Sequence, residues 1–260
     1  MPSDALRLVA ALRDAHDRLY AFATGLGAGD LQQISYCDEW TIAQVLSHLG
    51  SAAEIGRATL LAALGEGEPL DDKGREAIWD RWNAKSAEEQ AADSGASDDA
   101  MLAVLEELPP ERLEAMRAPF AGREISSAEL LRLFLAERVL HSWDIEVVFE
   151  PSVRLRPDHV ELLLGALGML VPWYADSSAF DGPGAVSIDT VEPERHFLLE
   201  KGEAVSLRES EPMPGGAQAK LPAEAFIRLV YGRLDEDHTP TGIETSGITL
   251  DQLRRLFPGR

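Results

Sequence analysis

Apolar residues recur at intervals of three and four through the first 150 residues, and this spacing predicts a series of amphipathic helices. The first apolar stripe consists of Leu8, Leu12, Ala15, Leu19 and Phe22. We expect this helix to end at the glycine-rich residues 25–29, because glycine is a poor helix former.

Two later helices begin with capping boxes, in which two side chains three residues apart each accept a bond from a backbone amide of the other residue. Thr41 and Gln44 begin the first of them. Its stripe is Val45, Leu49, Ala52, Gly56 and Ala63. Ser126 and Glu129 begin the second, which Pro151 closes. Its apolar face is Leu130, Leu131, Phe134, Ile145 and Val148.

The region between these two helices has a weaker pattern. Ile78 and Trp82 predict a helix, and the small and polar residues 86–99 predict a loop or a helix break. Apolar spacing resumes at Met101, Leu102, Leu105 and Leu108. Pro109 stops that helix. Long helices without strands between them predict an up-and-down four-helix bundle.

The pattern changes after residue 150, where short extended segments appear. We predict helices over 158–175, from Pro222 to Gly232 and over 249–256, and strands over 185–191, 195–200 and 204–209. This mixture is typical of an α+β domain. The sequence therefore predicts two domains, residues 1–152 and residues 153–260.

The net charge of −21 narrows the choice of partners. Such an acidic chain repels phosphate backbones and anionic lipid surfaces, so we expect neither nucleic-acid nor membrane binding. The single cysteine, Cys37, excludes an internal disulfide framework, and the N-terminal residues do not resemble a signal peptide. We therefore expect a cytoplasmic protein.

Two ionisable residues interrupt the apolar face of the helix that begins at Ser126. Around a regular helix, His141 lies about 20° and Glu137 about 60° from Phe134, which places both inside the apolar stripe. On the helix that begins at Thr41, His48 also faces the bundle or its edge. A buried carboxylate is costly unless it is paired or binds a metal.

One carboxylate and two imidazoles form a ligand set suited to a divalent transition metal with open positions. The residues alone leave other interpretations open. Glu137 and His141 can bind each other one helical turn apart, and Glu137 can pair with Arg138 or with an arginine of another helix.

The segments that carry these residues resemble a known family. Asp38–Leu49 (DEWTIAQVLSHL) resembles the second-helix signature of DinB-like proteins, in particular the mycothiol-dependent maleylpyruvate isomerase family of actinobacteria. Glu137–Ile145 (ERVLHSWDI) resembles that family's second signature, Glu-x-x-x-His followed by Trp-Asp. Leu221–Leu234 resembles the helix ending in Gly-Arg of its C-terminal domain, which is similar to sterol-carrier folds.

This resemblance implies a divalent metal, commonly zinc, held by His48, Glu137 and His141. It also implies mycothiol or another low-molecular-weight thiol as co-substrate, placed on or near the metal, where positive charge lowers the pKa of the thiol. In the isomerase reaction the thiolate would add to an activated double bond, permit rotation and then leave. The resemblance also implies thiol S-transfer as the alternative reaction.

Several further residues are candidates for the site. The resemblance makes Arg233, in the Gly-Arg pair, a candidate for binding a carboxylate of substrate or thiol, and Arg81 is another. Arg233 can equally be a surface arginine at a helix C-terminus, whereas for Arg81, the weaker candidate, a solvated helix arginine is the favoured interpretation. Asp144 is a candidate for orienting a ligand histidine. Cys37 is expected to be a small residue that is buried or half-buried, and His16 a core histidine.

The sequence therefore predicts a metal- and thiol-dependent isomerase or S-transferase that acts on a small electrophile. Its predicted fold is an α-helical DinB-like four-helix bundle with a smaller α+β C-terminal domain that walls the pocket. A non-catalytic, metal-containing protein that binds small ligands is the alternative. A regulatory interaction protein without metal is a third hypothesis, and in it Glu137 would pair with an arginine.

Overall fold

Long helices dominate the first half of the chain in a computed structural model, which describes residues 3–120, 122–213 and 215–259. The helices are α1 (Asp4–Ala23), α2 (Ala28–Leu31), α3 (Ile42–Ala63), α4 (Asp72–Asn83), α5 (Ala87–Glu106), α6 (Pro110–Ala115) and α7 (Ser127–Glu146). The capping boxes predicted at Thr41 and Ser126 are confirmed, because each side chain bonds the backbone as expected.

The four longest helices, α1, α3, α5 and α7, pack around a shared apolar core. Helix α1 contacts α5 and α7, and α3 also contacts α5 and α7, so each helix of the four touches two others. Leu19, Leu46 and Ile145 are fully buried members of this core from three different helices. The prediction that the first apolar stripe faces the core is therefore confirmed for Leu8, Leu12, Ala15 and Leu19.

The prediction of a loop or break over residues 86–99 is wrong. Helix α5 runs without interruption through this region, and Ser86 and Glu89 form a capping box at its start. The apolar periodicity is missing because the buried face of this part of the helix carries polar side chains, at Gln90, Ser94 and Asp98.

The expectation of helices without intervening strands is also wrong. A two-stranded antiparallel sheet, β1 (Arg117–Phe120) and β2 (Arg123–Ser126), lies between α6 and α7. Gly122 in its turn has a φ of 80°, a conformation that glycine adopts without strain. The strand β2 ends at the N-cap of α7, so the hairpin leads directly into that helix.

The second half of the chain is a mixed α and β structure. Its helices are α8 (Pro157–Leu164), α9 (Leu167–Tyr174), α10 (Ala223–Val230) and α11 (Leu250–Leu256). Its strands are β3 (Ala185–Val191), β4 (Arg195–Lys201), β5 (Val205–Glu209), β6 (Ala217–Pro222) and β7 (Glu244–Ser246). The sheet order is β5-β4-β3-β6-β7, with β3 and β6 parallel and the other pairs antiparallel.

The three predicted strands are confirmed, but the single helix predicted over 158–175 is wrong. Gly165 interrupts it, and the chain forms α8 and α9 instead. The chain divides into two compact units, Met1–Val153 and Arg154–Arg260. Among the described residues, no helix combines the length and apolar character that crossing a membrane requires.

Candidate metal centre

Three predicted ligands, one on α3 and two on α7, meet in the first unit. His48 Nε2 lies 3.0 Å from Glu137 Oε2, and His141 Nε2 lies 3.7 Å from the same oxygen. One ligand atom from each of the three residues lies within 4.8 Å of the other two. The geometry therefore gathers two imidazole nitrogens and a carboxylate around one point.

The local fold explains why these side chains converge. The capping boxes at Thr41 and Ser126 fix where α3 and α7 begin, and the two helices pack against each other. Glu137 and His141 are four residues apart on α7, so they project from the same face of that helix.

The three side chains are partly accessible. The exposed fractions are 31% for His48, 41% for Glu137 and 11% for His141. Imidazole nitrogens and a carboxylate oxygen suit zinc and other divalent transition metals, and three protein ligands leave at least one coordination position for a small molecule. The donor set and its accessibility thus fit a metal site of the catalytic type.

Asp144 fixes the orientation of the His141 ring. Its carboxylate Oδ2 lies 2.8 Å from His141 Nδ1, and the Asp144 side chain is completely buried. A carboxylate accepts this bond, so in the neutral ring Nδ1 carries the proton and Nε2 carries a lone pair. That lone pair lies near Glu137 Oε2, and a cation between the two atoms would relieve their repulsion.

Two residues of the segment before α3 also approach this centre. The Trp40 ring lies 5.1 Å from the His48 ring and 6.4 Å from the His141 ring, centroid to centroid. The Cys37 thiol donates to Asp144 Oδ2 at 3.2 Å. This contact could not be predicted from residue spacing, because it depends on how the segment packs against α7.

The two arginines that were predicted to bind carboxylates have other partners. The Arg81 guanidinium pairs with Glu54 on α3, and the neighbouring Trp82 indole donates to the same carboxylate at 3.0 Å. Arg233 belongs to the second unit, where it is buried and donates from Nη1 to the backbone oxygen of Tyr231 at 2.9 Å. A role in substrate binding stays a prediction for both arginines.

A second polar cluster joins α1, α5 and α7 inside the core. Asp98 Oδ2 lies 2.9 Å from His16 Nδ1 and 2.9 Å from Arg138 Nε, and Arg138 Nη2 also binds this carboxylate. Arg138 therefore pairs with Asp98, and the alternative in which it pairs with Glu137 is wrong. His16 is a core histidine as expected.

The charges of this cluster are strongly affected by its environment. Burial lowers the pKa of Arg138 to about 10, so its guanidinium stays charged at neutral pH. Burial is also the main cause that lowers the pKa of His16, and the nearby charges of Arg13 and Arg138 act in the same direction. Asp99 and Asp17 oppose this shift.

Comparison with known proteins adds a family and a fold. Residues 12–146 match the family model of the mycothiol maleylpyruvate isomerase N-terminal domain. Two crystal structures of mycothiol-dependent maleylpyruvate isomerase, one of a histidine-to-alanine mutant, share the fold with a TM-score of 0.64 each. The mutant is 14% identical and the other 15% identical, and each comparison covers 96% of this chain and 98% of the other chain. No curated protein sequence matches the chain.

Proposed function

Because the chain belongs to the mycothiol maleylpyruvate isomerase family, we propose that it is a metal-dependent enzyme that uses a low-molecular-weight thiol, of the mycothiol type, to isomerise or conjugate a small electrophile. The convergence of His48, Glu137 and His141 on one partly accessible point is the observation that carries this proposal. A purely structural metal site would be closed by a fourth protein ligand.

We propose zinc as the metal, with two nitrogen ligands and one oxygen ligand from this chain. Bound there, the metal would lower the pKa of a thiol beside it and so supply a thiolate at neutral pH. His48 on α3, with Glu137 and His141 on α7, would hold it. Asp144 would keep His141 in the tautomer that presents Nε2.

The remaining parts of the proposal concern the surroundings of the site. The four long helices would form a DinB-like bundle, and the second unit would correspond to the sterol-carrier-like domain of the family. Arg81 and Arg233 would bind carboxylates of the substrate or thiol, which requires Arg81 to leave Glu54. The protein would act in a cytoplasm that contains the thiol.

Metal analysis of protein purified without added metal is the first test. We expect about one zinc ion per chain, and we expect its loss in His48→Ala, because two remaining ligands hold a metal poorly. His238→Ala is the matched control, since this histidine lies in the second unit and contacts Asp235. Metal-free wild-type protein, with stability unchanged in His48→Ala, would contradict the proposal.

Turnover assays then identify the reaction. Maleylpyruvate and other activated alkenes are incubated with the protein and mycothiol. The products are separated from the substrate by liquid chromatography and then analysed by mass spectrometry, because an isomer has the same mass as its substrate. An isomerase gives a product of the same mass as the substrate, whereas an S-transferase gives a product that carries the thiol. Binding of metal and thiol without turnover of any electrophile would favour the non-catalytic binding protein.

A further inference from the structure

We propose that Cys37 is a positioning residue of the candidate metal centre, acting on His141 through Asp144. The thiol donates to the same carboxylate oxygen, Asp144 Oδ2, that accepts from His141 Nδ1. This inference rests on the proposed metal site. In this proposal Cys37 holds the Asp144 carboxylate in place, and Asp144 in turn orients the metal ligand His141.

The burial of Asp144 makes the second donor important. Its side chain has no exposed surface, so water does not supply hydrogen bonds to it from the bulk. A buried carboxylate is costly unless protein donors satisfy it. Cys37 contributes one such donor at 3.2 Å and His141 another at 2.8 Å, and both act on the same oxygen. Removing the thiol would take away one of the two donors that hold this oxygen beside the imidazole.

The backbone holds the sulfur in this place. Trp40 donates its backbone N–H to the Cys37 carbonyl at 2.7 Å, and the Ser35 hydroxyl donates to the same oxygen at 3.2 Å. The Tyr36 backbone N–H donates to the backbone carbonyl of Asp144 at 2.9 Å. The segment that carries Cys37 is therefore attached to the very residue of α7 that the thiol contacts.

The aromatic contacts of this segment strengthen the attachment. The Tyr36 ring packs edge-on against Trp143, with the ring centroids 4.7 Å apart, and Trp143 directly precedes Asp144. Trp40, at the other end of the segment, contacts the rings of His48 and His141. The segment thus contacts the candidate ligands on one side and their carboxylate support on the other.

A different use of the same atoms is a direct competitor. Cys37, His141 and Asp144 also offer three ligand atoms within 4.8 Å of one another, so an ion could bind the sulfur itself. In this arrangement Nδ1 of His141 would be the metal ligand. The metal would then replace the hydrogen bonds that Cys37 and His141 donate to the fully buried Asp144. Glu137 and His48 would have no part in it. Because His48, Glu137 and His141 are partly accessible and form a complete ligand set, we favour the interpretation in which the Cys37 thiol is not itself a ligand.

Matched variants separate these alternatives. Cys37→Ala removes the donor, Cys37→Ser keeps a hydroxyl donor, and Thr24→Ala removes a hydroxyl at the exposed end of α1 as the control. The zinc affinity of each is measured by competition with a chromogenic chelator. We expect Cys37→Ala to lose roughly 10- to 100-fold in affinity, the usual effect of removing an outer partner of a metal ligand. Cys37→Ser should recover most of it, and Thr24→Ala should match wild type.

Equal zinc affinities for wild type and Cys37→Ala would overturn the inference, and so would a serine variant as weak as the alanine variant. The absorption spectrum of the cobalt-loaded wild-type protein tests the competitor. We expect ligand-field bands without sulfur-to-metal charge transfer. A charge-transfer band that disappears in Cys37→Ser would make the sulfur a ligand and also overturn it.

Nuclear magnetic resonance of the metal-free protein distinguishes failure of this inference from failure of the proposed function. The hydrogen-bonded Nδ1 proton of His141, assigned by its absence in His141→Gln, should exchange with water faster in Cys37→Ala than in wild type or Cys37→Ser. If wild type binds no zinc, the proposed function fails, while this resonance still reports on the Cys37 contact. An unchanged exchange rate in Cys37→Ala would refute the positioning role.

Discussion

Removal of the Asp98 carboxylate is the sharpest test of the buried polar cluster. In Asp98→Ala the guanidinium of Arg138 loses its partner, while the residue at position 138 is only 5% exposed. An arginine guanidinium remains charged at neutral pH in proteins, so the variant contains a buried charge without its carboxylate partner. His16 loses the same partner.

Breaking a buried ion pair in this way costs about 3–5 kcal/mol, whereas an exposed pair contributes about 0–1 kcal/mol. The pair between Arg112 and Glu66, with both side chains nearly half exposed, is the matched control. For a urea dependence of about 2 kcal/mol per M, Asp98→Ala should lower the unfolding midpoint by about 2 M. Glu66→Ala should lower it by less than about 0.5 M.

A double variant refines this test. In Asp98→Ala with Arg138→Met the unpaired charge is gone, so the double variant should be more stable than Asp98→Ala alone. Urea unfolding followed by circular dichroism measures all four proteins. The reasoning is refuted if Asp98→Ala lies within about 1 kcal/mol of wild type, or if removing Arg138 from it destabilises the protein further.

Three further perturbations test other parts of the fold. Because the pKa of His16 is lowered in the folded state, the unfolded state takes up the proton first as the pH falls below about 6.5. Stability should therefore decline from pH 6.5 downward by up to about 1.4 kcal/mol per pH unit, and urea unfolding of His16→Gln should lack this component. Gly50→Ala should cost about 1–3 kcal/mol in the same assay, because the new methyl group would lie 2.2 Å from the Trp82 ring, whereas Gly29→Ala, with open space around it, should not destabilise. Ser86→Ala should lower the free energy of unfolding by about 1 kcal/mol, because α5 loses its N-cap. Thermal unfolding measures this effect, and an unchanged melting temperature would contradict the cap's contribution.

Local patterns in the sequence were sufficient to predict the helices that have both a capping box and an apolar stripe. The helices α3 and α7 are of this kind, and for the same reason His48, Glu137 and His141 could be placed on helix faces before the structure was known. Helix α5 has the cap, but its first half lacks an apolar stripe. From the sequence alone, Asp98 is expected to be exposed. It is buried because it pairs with Arg138, 40 positions later in the chain.

Contacts that depend on tertiary packing could not be predicted from the sequence. The thiol of Cys37 meets Asp144 only because the segment before α3 lies against the end of α7, 107 positions later in the chain. The strand β6 is recognised by its parallel pairing with β3, and no local alternation marks it clearly. In both cases the two interacting residues or strands are far apart in the sequence, so the spacing of nearby residues does not predict their contact.

The neighbours Glu137 and Arg138 have a joint consequence for the mechanics of α7. Their side chains point about 100° apart around the helix. Glu137 points toward His48, and Arg138 points toward Asp98 on α5. A roll of α7 by only 10° would move side-chain atoms by about 1 Å, because they lie about 5–6 Å from the helix axis. Such a roll would pull Arg138 from a partner that it cannot replace inside the core. The ion pair therefore opposes axial rotation of α7, the helix that carries Glu137 and His141, although Arg138 is not itself a candidate ligand.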